Sequence, residues 1–236
     1  DGSAPAGEWR FGSLTWKGNG YKANSPIAVR GTQIGTPAEV AGAGADGSTS
    51  FDVQFGYSGA YAAAPHGLSA EVPLSGTIDQ DPDQNYTPGE VGPGVERHTI
   101  DLNGAAFARI ELVIPGPDDI DLFLEDPSGN IVASSTSGGT DELIELTLPA
   151  GGVYTLIVHG WSVPSEPLAY DVSTWVVPLA SGGTLAVDSA PASATVAATG
   201  TISVSWSGAP AGTSLGAVSH SDGGGLLGLT LVEVQN

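Results

Sequence analysis

The residues of this sequence best suited to chemistry are its carboxylates, and they fall into two clusters. In Asp79-Gln80-Asp81-Pro82-Asp83-Gln84-Asn85 an oxygen-bearing side chain recurs at every second position, and Glu90 stands twelfth counting from Asp79. Oxygen ligands so spaced let a loop wrap a hard cation such as calcium. The sixth position, where the helix–loop–helix calcium motif requires glycine, is Gln84, so the stretch is calcium-like without being that motif. A solvated acidic linker would read the same way. The second cluster is Asp118, Asp119 and Asp121, at the mouth of a predicted strand that turns Asp119 and Asp121 to one side. Carboxylates so close repel one another unless a cation or backbone N–H groups neutralise them. Calcium is the candidate cofactor for both clusters, and a hydrated strand end is the alternative for the second.

Other reactive side chains are less organised. His66, His98, His159 and His220 are widely separated, and with no cysteine in the chain neither a His-x-x-x-His nor a Cys/His zinc pattern exists. Serines abound, but none sits in a Gly-x-Ser-x-Gly elbow between a strand and a helix. Gly223-Gly224-Gly225 lacks the Lys-Ser/Thr of a phosphate loop. No catalytic residue is therefore nominated. Trp161, Tyr170 and Trp175 are candidates for an aromatic platform that binds a protein or polymer substrate, with core packing as the competing fate of each. Trp206, alternating with serines, reads as core.

The elements that must position these groups are strands. The 236 residues include 35 glycines and 17 prolines with only 14% charged residues, a turn-rich composition poor in helix formers. A formal net charge of −20 repels a phosphate backbone and excludes nucleic acid as a partner. An anionic membrane surface is an equally poor partner, and no apolar run is long enough to span a bilayer. The Asp1-Gly2-Ser3 start has no signal-peptide character, so an export signal is expected to lie upstream or to have been removed.

Along the chain, residues 1–30 predict a hairpin about Lys17-Gly18-Asn19-Gly20. Residues 31–92 predict a connecting segment with strand-like runs, such as Phe51-Asp-Val-Gln-Phe55-Gly-Tyr57, that ends in the acidic loop. Residues 93–178 predict seven short strands with one apolar face each: Ile110, Leu112 and Ile114 share a face, as do Ile120, Leu122 and Leu124, and Tyr154, Leu156 and Val158. Turns at Asp126-Pro127-Ser128-Gly129 and Pro149-Ala150-Gly151-Gly152 separate them, which argues for a two-sheet sandwich. Residues 179–236 predict a further β-module, small for independence, that could pair with strands from 48–78. The expected class is all-β: an antiparallel, jelly-roll-like central sandwich flanked by smaller sandwich or hairpin modules.

Three stretches resemble known families. Phe11-Gly-Ser-Leu-Thr-Trp16 with Asn24-Ser-Pro-Ile-Ala-Val-Arg30 is similar to the last hairpin of the fibronectin-type-III-like domain that follows the catalytic domain in many subtilisin-like proteases. The resemblance implies that the rest of such a domain precedes Asp1. Asp119-Ile-Asp121-Leu-Phe-Leu-Glu-Asp126-Pro-Ser-Gly-Asn-Ile-Val, Asp141-Glu142, Leu148-Pro-Ala-Gly-Gly-Val-Tyr154-Thr-Leu-Ile-Val-His-Gly-Trp161 and Tyr170-Asp-Val resemble the bacterial pre-peptidase C-terminal domain, over about Val95 to Val177. That family is a jelly-roll sandwich appended to secreted proteases; in collagenase modules it binds insoluble substrate and calcium, and elsewhere it aids secretion. The tail from Val204-Ser-Trp206 to His220-Ser-Asp-Gly is similar to the β-module ending actinobacterial subtilisin-like proteases. The nucleophile setting of those enzymes, Gly-Thr-Ser-Met-Ala, is absent, because the chain has no methionine. The resemblances imply an extracellular, non-catalytic accessory region whose partners are a protein or polymer substrate or the parent catalytic domain. A cell-surface adhesion module and a self-standing hydrolase are the rival readings.

Overall fold

A computed structural model describes residues 7–114, 116–139 and 141–236, and no helix occurs among them. In chain order the strands are β1 (Trp9–Gly18), β2 (Tyr21–Arg30), β3 (Ile34–Gly35), β4 (Glu39–Ala43), β5 (Gly47–Phe55), β6 (Gly59–Ala60), β7 (Ala62–Ala70), β8 (Val72–Ile78), β9 (Val95–Asp101) and β10 (Ala105–Leu112). They continue with β11 (Asp119–Glu125), β12 (Ile131–Ser135), β13 (Glu142–Thr147), β14 (Val153–Ser162), β15 (Leu168–Pro178), β16 (Leu185–Ser189), β17 (Ser193–Ala194), β18 (Thr199–Trp206), β19 (Thr213–Ser221) and β20 (Leu226–Gln235).

The central sandwich faces a sheet β13-β10-β15-β8 against a sheet β12-β11-β14-β9. Period-two patterning builds its core: Ala108, Ile110 and Leu112 meet Ile120, Leu122 and Leu124, with Leu156, Val158, Tyr170 and Val172 alongside. All seven expected strands are present, with ends moved by a few residues. An eighth, β8, pairs with β15 from well before residue 93, so the sandwich starts upstream of the expected boundary. Its composition, with Pro73 and Gly76 in a run of seven, suits an edge strand; the strand-like run Ala70-Glu-Val-Pro-Leu74 is expected from the sequence, but its pairing with the central sandwich is not.

The expected connecting segment is likewise structured. It supplies β3 to β7 to a second sandwich, completed by β16 to β20 after the central one. One sheet runs β16-β18-β5-β3 and the other β4-β20-β19-β7, with β5 against β18 and β7 against β19. Phe51, Val53, Phe55, Ile202, Val204, Trp206, Val218, Val232 and Val234 form the core between them. Trp206 lies over Gly42 and Gly47, where any Cβ would come within 2.4 Å of the indole, and its Nε1 donates to Gly44 O at 3.0 Å.

The two sandwiches stack. Phe107, Trp175 and Val177 on the outer side of β10 and β15 bury against Leu215, Ala217 and Leu231 on the outer side of β19 and β20. Four sheets thus lie one on another, with Arg109 at the junction bonded to Glu39, Glu145 and Glu233. Among the described residues the hairpin β1–β2 pairs only with itself.

Candidate metal centre

Strand β11 divides its side chains by kind. Ile120, Leu122 and Leu124 enter the core, which leaves Asp119, Asp121, Phe123 and Glu125 on the outer face of the last sheet. Register brings His159 opposite Asp121 and Ile157 opposite Phe123 on β14, and Arg97 opposite Ile157 on β9. An outward face of this make-up needs a cover, and residues 79–94 provide one. Tyr86 lies on Phe123 with ring centroids 4.9 Å apart, and packs with Val95 and Ile157. The cover is stitched to the sheet by Asp81 N to Gly160 O, 2.8 Å, and Gly160 N to Gly94 O, 2.9 Å. Gly94 has φ +80°, and a Cβ there would sit 2.3 Å from Asp81 N.

Beneath the cover lie two charged groups. In the first, His159 Nε2 is 3.0 Å from Asp81 Oδ2 and its Nδ1 is 3.2 Å from Asp121 Oδ2, with His159 1% exposed. Ionised carboxylates only accept, so the ring that serves both must donate from both nitrogens and is an imidazolium. Burial pushes the ring toward neutrality, but the hydrogen bonds and charges of Asp121 and Asp81 outweigh it and hold its pKa above the ordinary value. Burial likewise opposes ionisation of Asp81, and His159, together with the Asn85 N–H, overcomes it and lowers that pKa. In the second group Glu125 accepts from Arg97 Nη2, from the Tyr86 hydroxyl at 2.5 Å and from Gly89 N at 3.2 Å. Here too burial is outweighed, and Glu125 titrates below its usual range.

The sequence-predicted ligands are therefore divided among different tasks. Asp81, Asp83 and Glu90 bring one carboxylate oxygen each to within 4.8 Å of one another, a spacing compatible with a shared hard cation. Some of their oxygens are already used: Asp81 Oδ2 on His159 and Asn85 N, Asp83 Oδ1 on Asn85 N, and Glu90 Oε2 on Thr87 N. Three carboxylates supply hard oxygen donors of the kind calcium takes, though fewer than its usual six to eight ligands. Asp79 is exposed outside this trio, and Asn85 contributes its backbone N–H. The second cluster does not converge. Asp118 is buried with both oxygens on the Ser165 hydroxyl, and Asp121 is taken by His159. Asp119 has a buried Oδ1 without a hydrogen-bond partner, and with Asp121, Ser137 and Trp161 it lines a cavity of about 300 Å3.

The proposed aromatic platform is corrected. Trp161 is 42% exposed, but Tyr170 lies in the central core with its hydroxyl 2.8 Å from His98 Nε2. Trp175 lies between the sandwiches, donating to Thr213 O at 3.1 Å. Neither His159 nor the Arg97–Glu125 pair is expected from the sequence as part of the site. The clue was a histidine and a glutamate within strands otherwise read as core, at positions facing away from the apolar set.

A serine–histidine contact does occur, Ser219 Oγ to His66 Nε2 at 2.9 Å. His66 Nδ1 is buried without a hydrogen-bond partner, so no carboxylate orients the ring as a triad requires.

Comparisons with known proteins bear on the central sandwich. Residues 96–160 match the family model of the bacterial pre-peptidase C-terminal domain. Over 65 residues, 27% of the chain, the sequence is 37% identical to pyrolysin of Pyrococcus furiosus, of which the match spans 5%. Among solved structures, the pre-peptidase C-terminal domain of collagenase from Bacillus anthracis aligns at 14% identity and TM-score 0.31, covering 58% of this chain and 95% of that one. PliG of Aeromonas hydrophila, a periplasmic inhibitor of g-type lysozyme, aligns at 13% identity and TM-score 0.30, covering 47% and 85%. The class is thus an all-β protein of stacked sandwiches with a stretch of pre-peptidase C-terminal type in the central one. That stretch holds Arg97, Asp121, Glu125 and His159, while the cover that carries Asp81, Asp83 and Glu90 precedes it.

Proposed function

We propose that this chain is a non-catalytic accessory region of an exported subtilisin-like serine protease, which holds substrate or the catalytic domain in place and is stiffened by calcium at Asp81, Asp83 and Glu90. The observation that carries the reading is the family match at residues 96–160, since pre-peptidase C-terminal domains typically accompany secreted proteases. The partial identity with pyrolysin points the same way. The hairpin, by its sequence resemblance, is read as the closing hairpin of a fibronectin-type-III-like domain, and the tail as the terminal β-module of such enzymes. Trp161, exposed beside the acidic cavity, is the aromatic contact for substrate.

The test is co-sedimentation of the purified chain with insoluble collagen, casein, chitin and cell wall, with and without calcium. Retention on at least one, weakened by Trp161→Ala, is expected. Failure on all of them removes the substrate-holding role. A serine-reactive fluorophosphonate probe decides the hydrolase rival, with Ser219 as the position to inspect: no labelling is expected, and stoichiometric labelling would overturn the accessory reading. Calcium should raise the melting temperature, as any ligand selective for the folded state does, and Asp83→Asn with Glu90→Gln should abolish the increment.

A further inference from the structure

The cavity of about 300 Å3 beside the cover has walls of three kinds. Asp119 and Asp121 of β11 make its acidic wall, Thr136, Ser137 and Gly138 its polar wall, and Trp161 its aromatic wall. Trp161 owes its place to a bulge: Ser162 stands opposite Asp119 and Gly160 opposite Ile120, so β14 carries one more residue there than β11. Bulges re-aim side chains and are over-represented beside functional sites. Here the extra residue is a tryptophan, 42% exposed, whose carbonyl accepts from Gln84 Nε2 at 2.8 Å. The polar wall is fixed too, since Ser137 gives its N–H and its hydroxyl to the buried Glu142, at 3.0 and 2.7 Å. A cavity held in this way is formed before any ligand arrives.

Its negative charge is unanswered. Asp121, 7% exposed, has His159 on one oxygen, but that imidazolium serves Asp81 as well. Asp119 Oδ1 is shut off from water and has no hydrogen-bond partner. The two arginines beyond the hairpin are engaged elsewhere, Arg97 with Glu125 and Arg109 with three glutamates. Carboxylates so placed call for a cation. Calcium takes roughly 6–8 oxygen ligands, and an indole offers it none. The cavity is also about ten times the ~30 Å3 share of one water, roomy for a bare ion. A guanidinium suits these walls better, because its N–H groups meet carboxylates in a planar fork while its face stacks on an indole. We propose that this cavity receives the arginine side chain of a protein substrate, held between Trp161 and the carboxylates of Asp119 and Asp121. The proposal rests on the reading of the chain as a substrate-holding region and adds what that region recognises.

Titration of the whole chain with the tripeptide Gly-Arg-Gly tests it, followed at the indole N–H resonance of Trp161, which its loss in Trp161→Phe assigns. Saturable movement is expected, and the neutral isostere with citrulline in place of arginine should bind at least about 10-fold more weakly. Asp119→Asn should weaken binding of Gly-Arg-Gly by about 3- to 10-fold. Asp52→Asn, the same charge change at an exposed position of the other sandwich, should have much less effect. A Trp161 resonance that does not move overturns the proposal. So does a citrulline peptide that binds equally well, or a loss in Asp119→Asn that Asp52→Asn matches, the mark of attraction to net charge alone. Movement by calcium chloride and not by the peptide would give the cavity to a metal and overturn it as well. Peptide binding by a chain that fails to sediment with collagen or casein would remove the accessory reading and leave the arginine site standing; sedimentation without peptide binding would do the reverse.

Discussion

At the scale of single residues, two buried histidines meet opposite fates because of what their nitrogens touch. His159 lies between two carboxylates and carries both protons. His220 Nε2 lies 3.0 Å from the hydroxyl of Thr230, which donates its own proton to Pro37 O at 2.9 Å, so the ring must donate there. Its Nδ1 then accepts from the Tyr61 hydroxyl at 2.8 Å, and the ring is neutral. Burial without a carboxylate brings its pKa down to about 4. The pH dependences follow. Below its unfolded pKa of about 6.5 the unfolded chain gains a proton at His220 that the folded chain resists, so stability falls as pH drops from about 6.5 toward 4, by at most about 3 kcal/mol. Urea unfolding of the native chain and His220→Gln at pH 7 and pH 4.5 checks this: the native chain should lose more between the two. For His159 the prediction concerns charge. His159→Gln leaves Asp81 and Asp121 facing each other under the cover and should destabilise the protein by about 3–5 kcal/mol. Adding Asp121→Asn should recover part of the loss, and a double variant no better than the single one would refute the imidazolium assignment.

At the scale of elements, strands 93–178 were legible because each carries one apolar face and ends at a Pro- or Gly-containing turn. The site they support was only half legible. Asp81, Asp83 and Glu90 could be named from spacing alone, but Asp121 meets His159 through a strand register that no local pattern encodes. Of the two fates open to Trp175, platform or core, the structure gives core, and Trp175-Val176-Val177 is apolar on both faces, the mark of a strand buried twice. The cover over β11 and β14 makes its own prediction. Gly94→Ala would strain a residue at φ +80° and drive a methyl into the Asp81 backbone, costing about 1–3 kcal/mol. The loss should be local: amide hydrogen exchange should accelerate from 79 to 94 while β10 and β15 stay protected.

At the scale of the whole molecule, the order of the chain and the order of the layers disagree. Residues 34–70 and 185–235 build one sandwich, and the central one is made entirely by the chain between them. Strand β7 of the outer sandwich leads through Glu71 to β8 of the central one, so the two units are joined at this short link as well as at the return after β15. Their mutual face is apolar at Phe107, Trp175, Val177, Leu215 and Leu231, and Arg109, 14% exposed, ties three glutamates from both units. A junction that dry and that charged should make the sandwiches unfold together. Trp175→Ala removes the largest side chain from it and leaves the cores of both sandwiches intact, at about 3–5 kcal/mol. Calorimetry should then resolve two transitions in the variant where the parent gives one. A single transition merely shifted to lower temperature would mean that the covalent links, and not the shared face, couple the two units.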